Sequence, residues 1–159
     1  MNNAALLQQQ TIPYYFHFPV ALRFADLNCG RSLHPSKALE LFEMARFDIL
    51  RRLRESQSQA QISTEVLLFL VVRADLTRHG AWRGQQEALV RTRLLVQTTP
   101  VMEFHQLLLS ADGSEPVYSA ILRVAAVEQD LKPVPDWAQS IAPLMAKFVI
   151  EHGQKETNE

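Results

Sequence analysis

Cysteine is almost missing from this chain: Cys29 stands alone among 159 residues. A single thiol excludes an intrachain disulfide and a multi-cysteine metal site. An excess of charge is missing as well. Lys and Arg number 16 against 17 Asp and Glu, so no basic surface for nucleic acid or an anionic membrane is expected. Long apolar runs are also absent. The longest, from Val66 to Val72, is far short of the roughly 20 residues a spanning helix needs. The opening MNNAALLQQQ has neither a basic start nor an apolar centre, so no secretory signal is expected there. These absences point to a reduced, cytoplasmic protein that holds no metal or cofactor and does not insert into a membrane.

What is present suits a globular domain: 47% hydrophobic and 21% charged residues, over a length that can bury a real core. The expected layout is a flexible segment over 1–12, one domain over 13–152 and a flexible tail over 153–159. No internal repeat or low-complexity segment interrupts it.

Period changes along the chain set the elements. Phe18, Val20, Leu22 and Phe24 alternate, which predicts a first strand over 16–25. Ala38, Leu41, Phe42, Ala45, Ile49 and Leu53 recur at helical spacing, which predicts a helix from about Ser36 to Leu53, with Pro35 in its first turn. VLLFLVVRADL reads as a central strand buried on both faces. ALVRTRLLVQT alternates, with Ala88, Val90, Thr92, Leu94 and Val96 on one face. VMEFHQLLLS and VYSAILRVAAVEQ flank ADGSEP, whose Asp-Gly step is a hairpin signal. WAQSIAPLMAKFVIEHG reads as a closing amphipathic helix with Asp136 as N-cap. One early helix followed by an unbroken run of strands predicts an α+β fold, with a curved antiparallel sheet of about five strands around the long helix.

Chemistry-bearing residues gather at the junction before that helix. ADLNCGRSLHPSK brings Asn28, Cys29, Gly30, Ser32, His34 and Ser36 between strand and helix, where N–H groups can hold an anion or a polarised carbonyl. The order of VALRFADLN, LFEMAR, HGAWRGQQ and LKPVPDW resembles the hot-dog fold acyl-CoA thioesterases of the 4-hydroxybenzoyl-CoA thioesterase-like group, over roughly His17 to Leu144. Asp26, Asn28, Gly30, Leu33, Ala45 and Arg46 match a pattern of that group. Ser32 stands where the pattern has His, and Asn28 where another branch of the family has its catalytic aspartate.

The resemblance implies a hot-dog fold, an acyl-CoA or similar thioester as substrate, and a homodimer or homotetramer. Thioester hydrolysis needs a carboxylate to activate water or attack the carbonyl, and N–H donors for the oxyanion. The site candidates are Asp26, Asn28, Glu43 and His34 for catalysis, with Glu40 nearby. Gly30, Arg31 and Ser32 are candidate donors; Arg78 and Arg83 are candidate contacts to the coenzyme's phosphates. Each has a structural alternative. Asp26 suits a turn, His34 and Ser32 suit helix capping, and Glu43 is spaced to pair with Arg46. Arg91 and Arg93 suit a solvent-facing sheet side, and Trp82 suits ordinary packing. Two functions stay open: a thioester hydrolase, and a hot-dog protein that binds an acyl thioester or lipid-like ligand without cleaving it.

Overall fold

A computed structural model describes residues 14–28, 30, 32–57, 67–82 and 87–156. The chain runs through β1 (Tyr14–Ala21), a 3-10 turn (Phe24–Asp26), α1 (Pro35–Gln57), β2 (Leu68–Arg78), β3 (Glu87–Leu95), β4 (Val101–Ser110) and β5 (Pro116–Val127). A π-helical turn (Trp137–Ile141) then leads into α2 (Ala142–His152) and a short β6 (Gln154–Lys155). All strand pairs are antiparallel, in the order β2-β5-β4-β3-β1-β6. The α+β architecture, with a curved sheet around one long helix, is the one expected.

Alternation builds the sheet's inner face. Ala88, Val90, Thr92 and Leu94 of β3, Met102, Phe104, Gln106 and Leu108 of β4, and Tyr118, Ala120, Leu122 and Val124 of β5 are all buried. They meet the α1 stripe of Ala38, Leu41, Phe42, Ala45, Ile49 and Leu53, also buried. Removing a core side chain such as Phe42 by truncation to Ala costs about 3–5 kcal/mol. The helix α2 adds Met145, Phe148 and Val149, with Phe148 stacked on Phe16 of β1 at 5.8 Å between ring centroids. The hairpin between β4 and β5 forms at the expected Asp-Gly step. Gly113 takes φ +77° there, a left-handed conformation that side chains disfavour. The hydroxyls of Ser110 and Ser114 hold the Asp112 carboxyl down to about 2.

Several expectations need correction. The first strand starts at Tyr14 and ends at Ala21, and Phe24–Asp26 form the 3-10 turn instead of its last residues. Helix α1 runs on through Gln57, because the Glu55–Gln57 segment contains no breaker. Asp136 does not cap through its side chain; it sits at φ 55° and its backbone carbonyl accepts from the N–H groups of Gln139 and Ser140. To the about five strands expected, the sheet adds the two-residue β6: Gln154–Lys155, in the stretch expected to be loose, pair with Tyr14–Tyr15.

The largest correction concerns β2. Among the described residues it is an edge strand, bonded to β5 alone, and its residues are exposed or half-exposed throughout. Leu68, Leu70, Val71 and Val72 are 40%, 40%, 46% and 59% exposed. An unbroken apolar run has the same periodicity whether neighbours in its own chain cover it or not.

Candidate active site

The turn before α1 is closed by its own side chains. The Asn28 N–H donates to the Ser32 carbonyl at 2.9 Å. The Asn28 side-chain oxygen accepts the N–H of Gly30 at 3.0 Å and that of Ser32 at 3.1 Å. Its amide nitrogen donates to Ser32 Oγ at 3.0 Å. Asn28 therefore shapes the loop and offers no base. The Gly30 and Ser32 N–H groups, expected as oxyanion donors, are already bonded within the loop. Buried Leu33 anchors the turn to the sheet, its carbonyl accepting the Tyr118 hydroxyl at 2.8 Å.

The helix start is closed in the same way. His34 is the residue before α1, and its Nδ1 accepts the Ser36 N–H at 3.2 Å while facing Ser36 Oγ at 2.7 Å. Its carbonyl accepts the N–H groups of Lys37 and Ala38. His34 is thus the helix cap, a role that satisfies first-turn donors and stabilises by about 1 kcal/mol. Asp26 accepts the Arg23 N–H at 2.7 Å and lies 3.4 Å from the Lys37 ammonium. The Arg23 N–H first, and Lys37 after it, hold its carboxyl below the usual carboxylate range. Lys37 also bonds Glu40 at 3.0 Å.

One flank of α1 is organised differently. Leu39, Glu43, Arg46, Leu50 and Arg54 follow one another at three- and four-residue spacing and form one row. The C-terminal end of this row reaches the β2 side of the sheet. Arg54 Nη2 donates to the carbonyl of Leu67, just before β2, at 3.3 Å. The opposite flank faces β1, where the Arg52 guanidinium lies 5.3 Å above the Phe16 ring. A cleft of about 620 Å³ crosses the uncovered part of the helix between the two edges, lined by Phe18, Met44, Phe47, Leu50, Arg51 and Phe69 among others.

Glu43 is exposed on this flank and, among the described residues, has no hydrogen bond or ion pair. The expected pairing with Arg46 is absent because Arg46 is drawn inward. Arg46 as a residue is only 6% exposed, and its Nη1 donates to Gln106 Oε1 at 2.9 Å. Gln106 is fixed in turn, its amide nitrogen donating to the Phe42 carbonyl at 2.9 Å and to Thr92 Oγ1 at 3.0 Å. Burial pulls the Arg46 pKa down, and the Glu43 charge opposes that shift. The ordinary value for arginine is so high that the group stays cationic at neutral pH. Arg46, Gln106 and Thr92 were not among the residues the sequence singled out for chemistry. The available signal was two polar residues, Thr92 and Gln106, on otherwise apolar strand faces.

The remaining candidates are dispersed. Arg78 ends β2 opposite Tyr118, and its Nε reaches the Gly80 carbonyl at 3.4 Å. Arg91 and Arg93 lie on the outer sheet face, where Arg91 bonds His17 at 3.2 Å and Arg93 pairs with Glu156. Trp82 is buried packing. Cys29, Arg31 and Arg83 lie outside the described residues, as do 1–12. Among the described residues, no group of three His, Cys, Asp or Glu could hold a metal, and no helix is long and apolar enough to cross a membrane.

A curved antiparallel sheet around one long helix, with a polar turn at the helix start and an uncovered edge strand beside it, is the hot-dog fold. Among solved structures, the chain is similar to the probable thioesterase YbaW from Escherichia coli, with TM-score 0.69 and 16% identity over 84% of this chain and 98% of that one. It is similar to the DHNA-CoA thioesterase from Staphylococcus aureus, with TM-score 0.67 and 14% identity over 86% and 91%. It is also similar to Slr0204, a 1,4-dihydroxy-2-naphthoyl-CoA thioesterase from Synechocystis, with TM-score 0.65 and 13% identity over 87% and 98%. No protein-family model matches the sequence, and no curated protein does.

Proposed function

We propose that this protein hydrolyses acyl thioesters of the coenzyme A type, with Glu43 as the general base. The observation that carries this reading is Glu43 itself: an exposed carboxylate with no hydrogen bond or ion pair among the described residues, beside buried Arg46 on the helix row whose end reaches β2. The other carboxylates close to the turn are held: Asp26 by Arg23 and Lys37, and Glu40 by Lys37. In the reaction, the Glu43 carboxylate takes a proton from water as the water oxygen bonds to the thioester carbon. The carbonyl π electrons move onto oxygen. When the tetrahedral species collapses, the C–S bond breaks, its electrons stay on sulfur, and the proton on Glu43 passes to the thiolate. The products are a carboxylic acid and a thiol.

The site is completed by a second copy of the chain. The apolar β2 edge carries unpaired backbone groups and exposed Leu70, Val71 and Val72, a combination that proteins cover or pair. Antiparallel pairing of two β2 edges buries it and closes the cleft between α1 and β2. Arg78 shares the inner side of the sheet with Tyr118, its partner in register, so it stands where it can meet a phosphate or the pantetheine arm of the bound thioester.

A second reading has its own support. Asn28 occupies the Gly30 and Ser32 N–H groups, two of the donors a hydrolase would use there. This favours a protein that binds acyl thioesters without cleaving them. A panel of acyl-CoAs with a free-thiol readout separates the two. Thiol release with at least one member is expected. Binding of the same compounds with no release from any of them would replace the hydrolase with the binder.

A further inference from the structure

With the Gly30 and Ser32 N–H groups occupied, a hydrolase of this fold gains from a further hydrogen-bond donor for the developing oxyanion. Among the described residues one group fits. Arg46 is a buried cation with no carboxylate in ion-pair range, and its one hydrogen bond goes to a neutral amide oxygen. Its remaining N–H groups have no acceptor among the described residues. They are not sealed off either: among the described residues, the side-chain atom that is both sealed from water and without a partner is Gln57 Oε1. Water can hold these donors until a ligand's acceptor displaces it.

We propose that Arg46 is a catalytic residue, the donor that holds the oxyanion of the tetrahedral intermediate; this inference rests on the hydrolase reading above. Residues three apart on a helix hold their Cβ atoms about 5–6 Å from each other. Glu43 and Arg46 can therefore straddle one thioester carbon, the first on the attacking water and the second on the carbonyl oxygen. The pair would ordinarily collapse into an ion pair and close that gap. Gln106 prevents it. Clamped by the Phe42 carbonyl and by Thr92, it holds Nη1 toward the sheet and leaves Nε and Nη2 without an acceptor among the described residues. Negative charge that develops only in the transition state then meets a cation already in place, which raises kcat without tightening the ground state.

The test compares wild type with Arg46→Lys and with the double variant Arg46→Met/Gln106→Leu on whichever acyl-CoA wild type cleaves. The double variant exchanges the polar pair for apolar side chains of similar volume, a change that buried charges often tolerate without loss of fold. A fall in kcat of about 100- to 1,000-fold is expected in the double variant, with KM changed little, as for loss of one oxyanion donor. Arg46→Lys keeps the charge and loses the fork, so its fall is smaller. In a Glu43→Gln background, which leaves bound substrate uncleaved, the carbonyl stretch of a ¹³C-labelled thioester lies at lower frequency with Arg46 present than in the Met/Leu background. Wild-type turnover with kcat unchanged in both variants, or equal carbonyl frequencies, would overturn the assignment of Arg46 and leave the hydrolase standing. Loss of near-UV circular dichroism in both variants would also overturn it, by making Arg46 a folding residue. No thiol release from wild type would remove the hydrolase reading and the role of Arg46 with it.

Discussion

The turn before α1 and the flank of α1 one to three turns later are both rich in polar groups, and they treat those groups in opposite ways. In the turn, Asn28 bonds Gly30 and Ser32, His34 bonds Ser36, and Asp26 bonds Arg23 and faces Lys37. These groups satisfy one another and fix the entry into the helix. On the flank, among the described residues, Glu43 has no hydrogen bond or ion pair, and Arg46 has one neutral hydrogen-bond partner despite being buried. A region whose donors and acceptors are mutually satisfied is a structural device. A region that keeps a carboxylate and a cation close yet unpaired retains capacity for a ligand. The contrast moves the proposed chemistry away from the junction and onto the helix.

That contrast can be broken at several points. Glu43→Gln should have the largest effect, a fall in thioester turnover of about 100- to 10,000-fold, the range for loss of a general base. Full activity in this variant, measured by thiol release, would return the chemistry to the turn. Next is the strand beside the flank. A Leu70→Lys/Val72→Lys variant places charge on the β2 edge and should shift the protein from dimer to monomer in sedimentation, with activity lost alongside. A variant that stays dimeric would show that another surface joins the copies. Smaller is Asn28→Ala, which should lower unfolding free energy by about 1 kcal/mol in denaturant titration, as for loss of a net hydrogen bond.

The smallest effect concerns Asp26. Its carboxyl is held below the ordinary 3.8 in the folded chain, so its ionised form stabilises the fold. That contribution is complete above the unfolded value and is lost as pH falls through the folded one. Wild type should therefore exceed Asp26→Asn in melting temperature at neutral pH, and the gap should close under acid, below about 3.8. A gap that widens under acid would contradict the hydrogen bonds assigned to Asp26.

Much of the fold was legible in the sequence because local period and global burial agree over most of its length. VMEFHQLLLS is β4 from Val101 to Ser110 without a residue to spare, and the alternation at Ala88, Val90, Thr92 and Leu94 matches the inner face of β3. The order of strand, long helix and consecutive strands, and with it the resemblance to hot-dog proteins, needed nothing further. The misplacement of β2 has a physical cause. An apolar run buried by its own chain and one left for a second chain are alike in sequence, and only the strand order separates them.

The candidate site was less legible, for a related reason. Spacing along α1 predicts an ion pair between Glu43 and Arg46, but Gln106, from a strand 60 residues away, captures the guanidinium. The reactive look of the turn misled in the other direction. Asn28, Ser32 and His34 are residue types that serve catalysis and capping equally well, and which role applies depends on backbone N–H groups that a sequence does not position.

The most direct measurement is a side-by-side determination of kcat for Glu43→Gln and Asn28→Ala on one acyl-CoA that wild type cleaves, with both variants folded. With the chemistry on the α1 flank, Glu43→Gln loses turnover while Asn28→Ala keeps kcat within a few-fold of wild type. The reverse pattern, activity retained without the Glu43 carboxylate and lost without the Asn28 side chain, would contradict that placement.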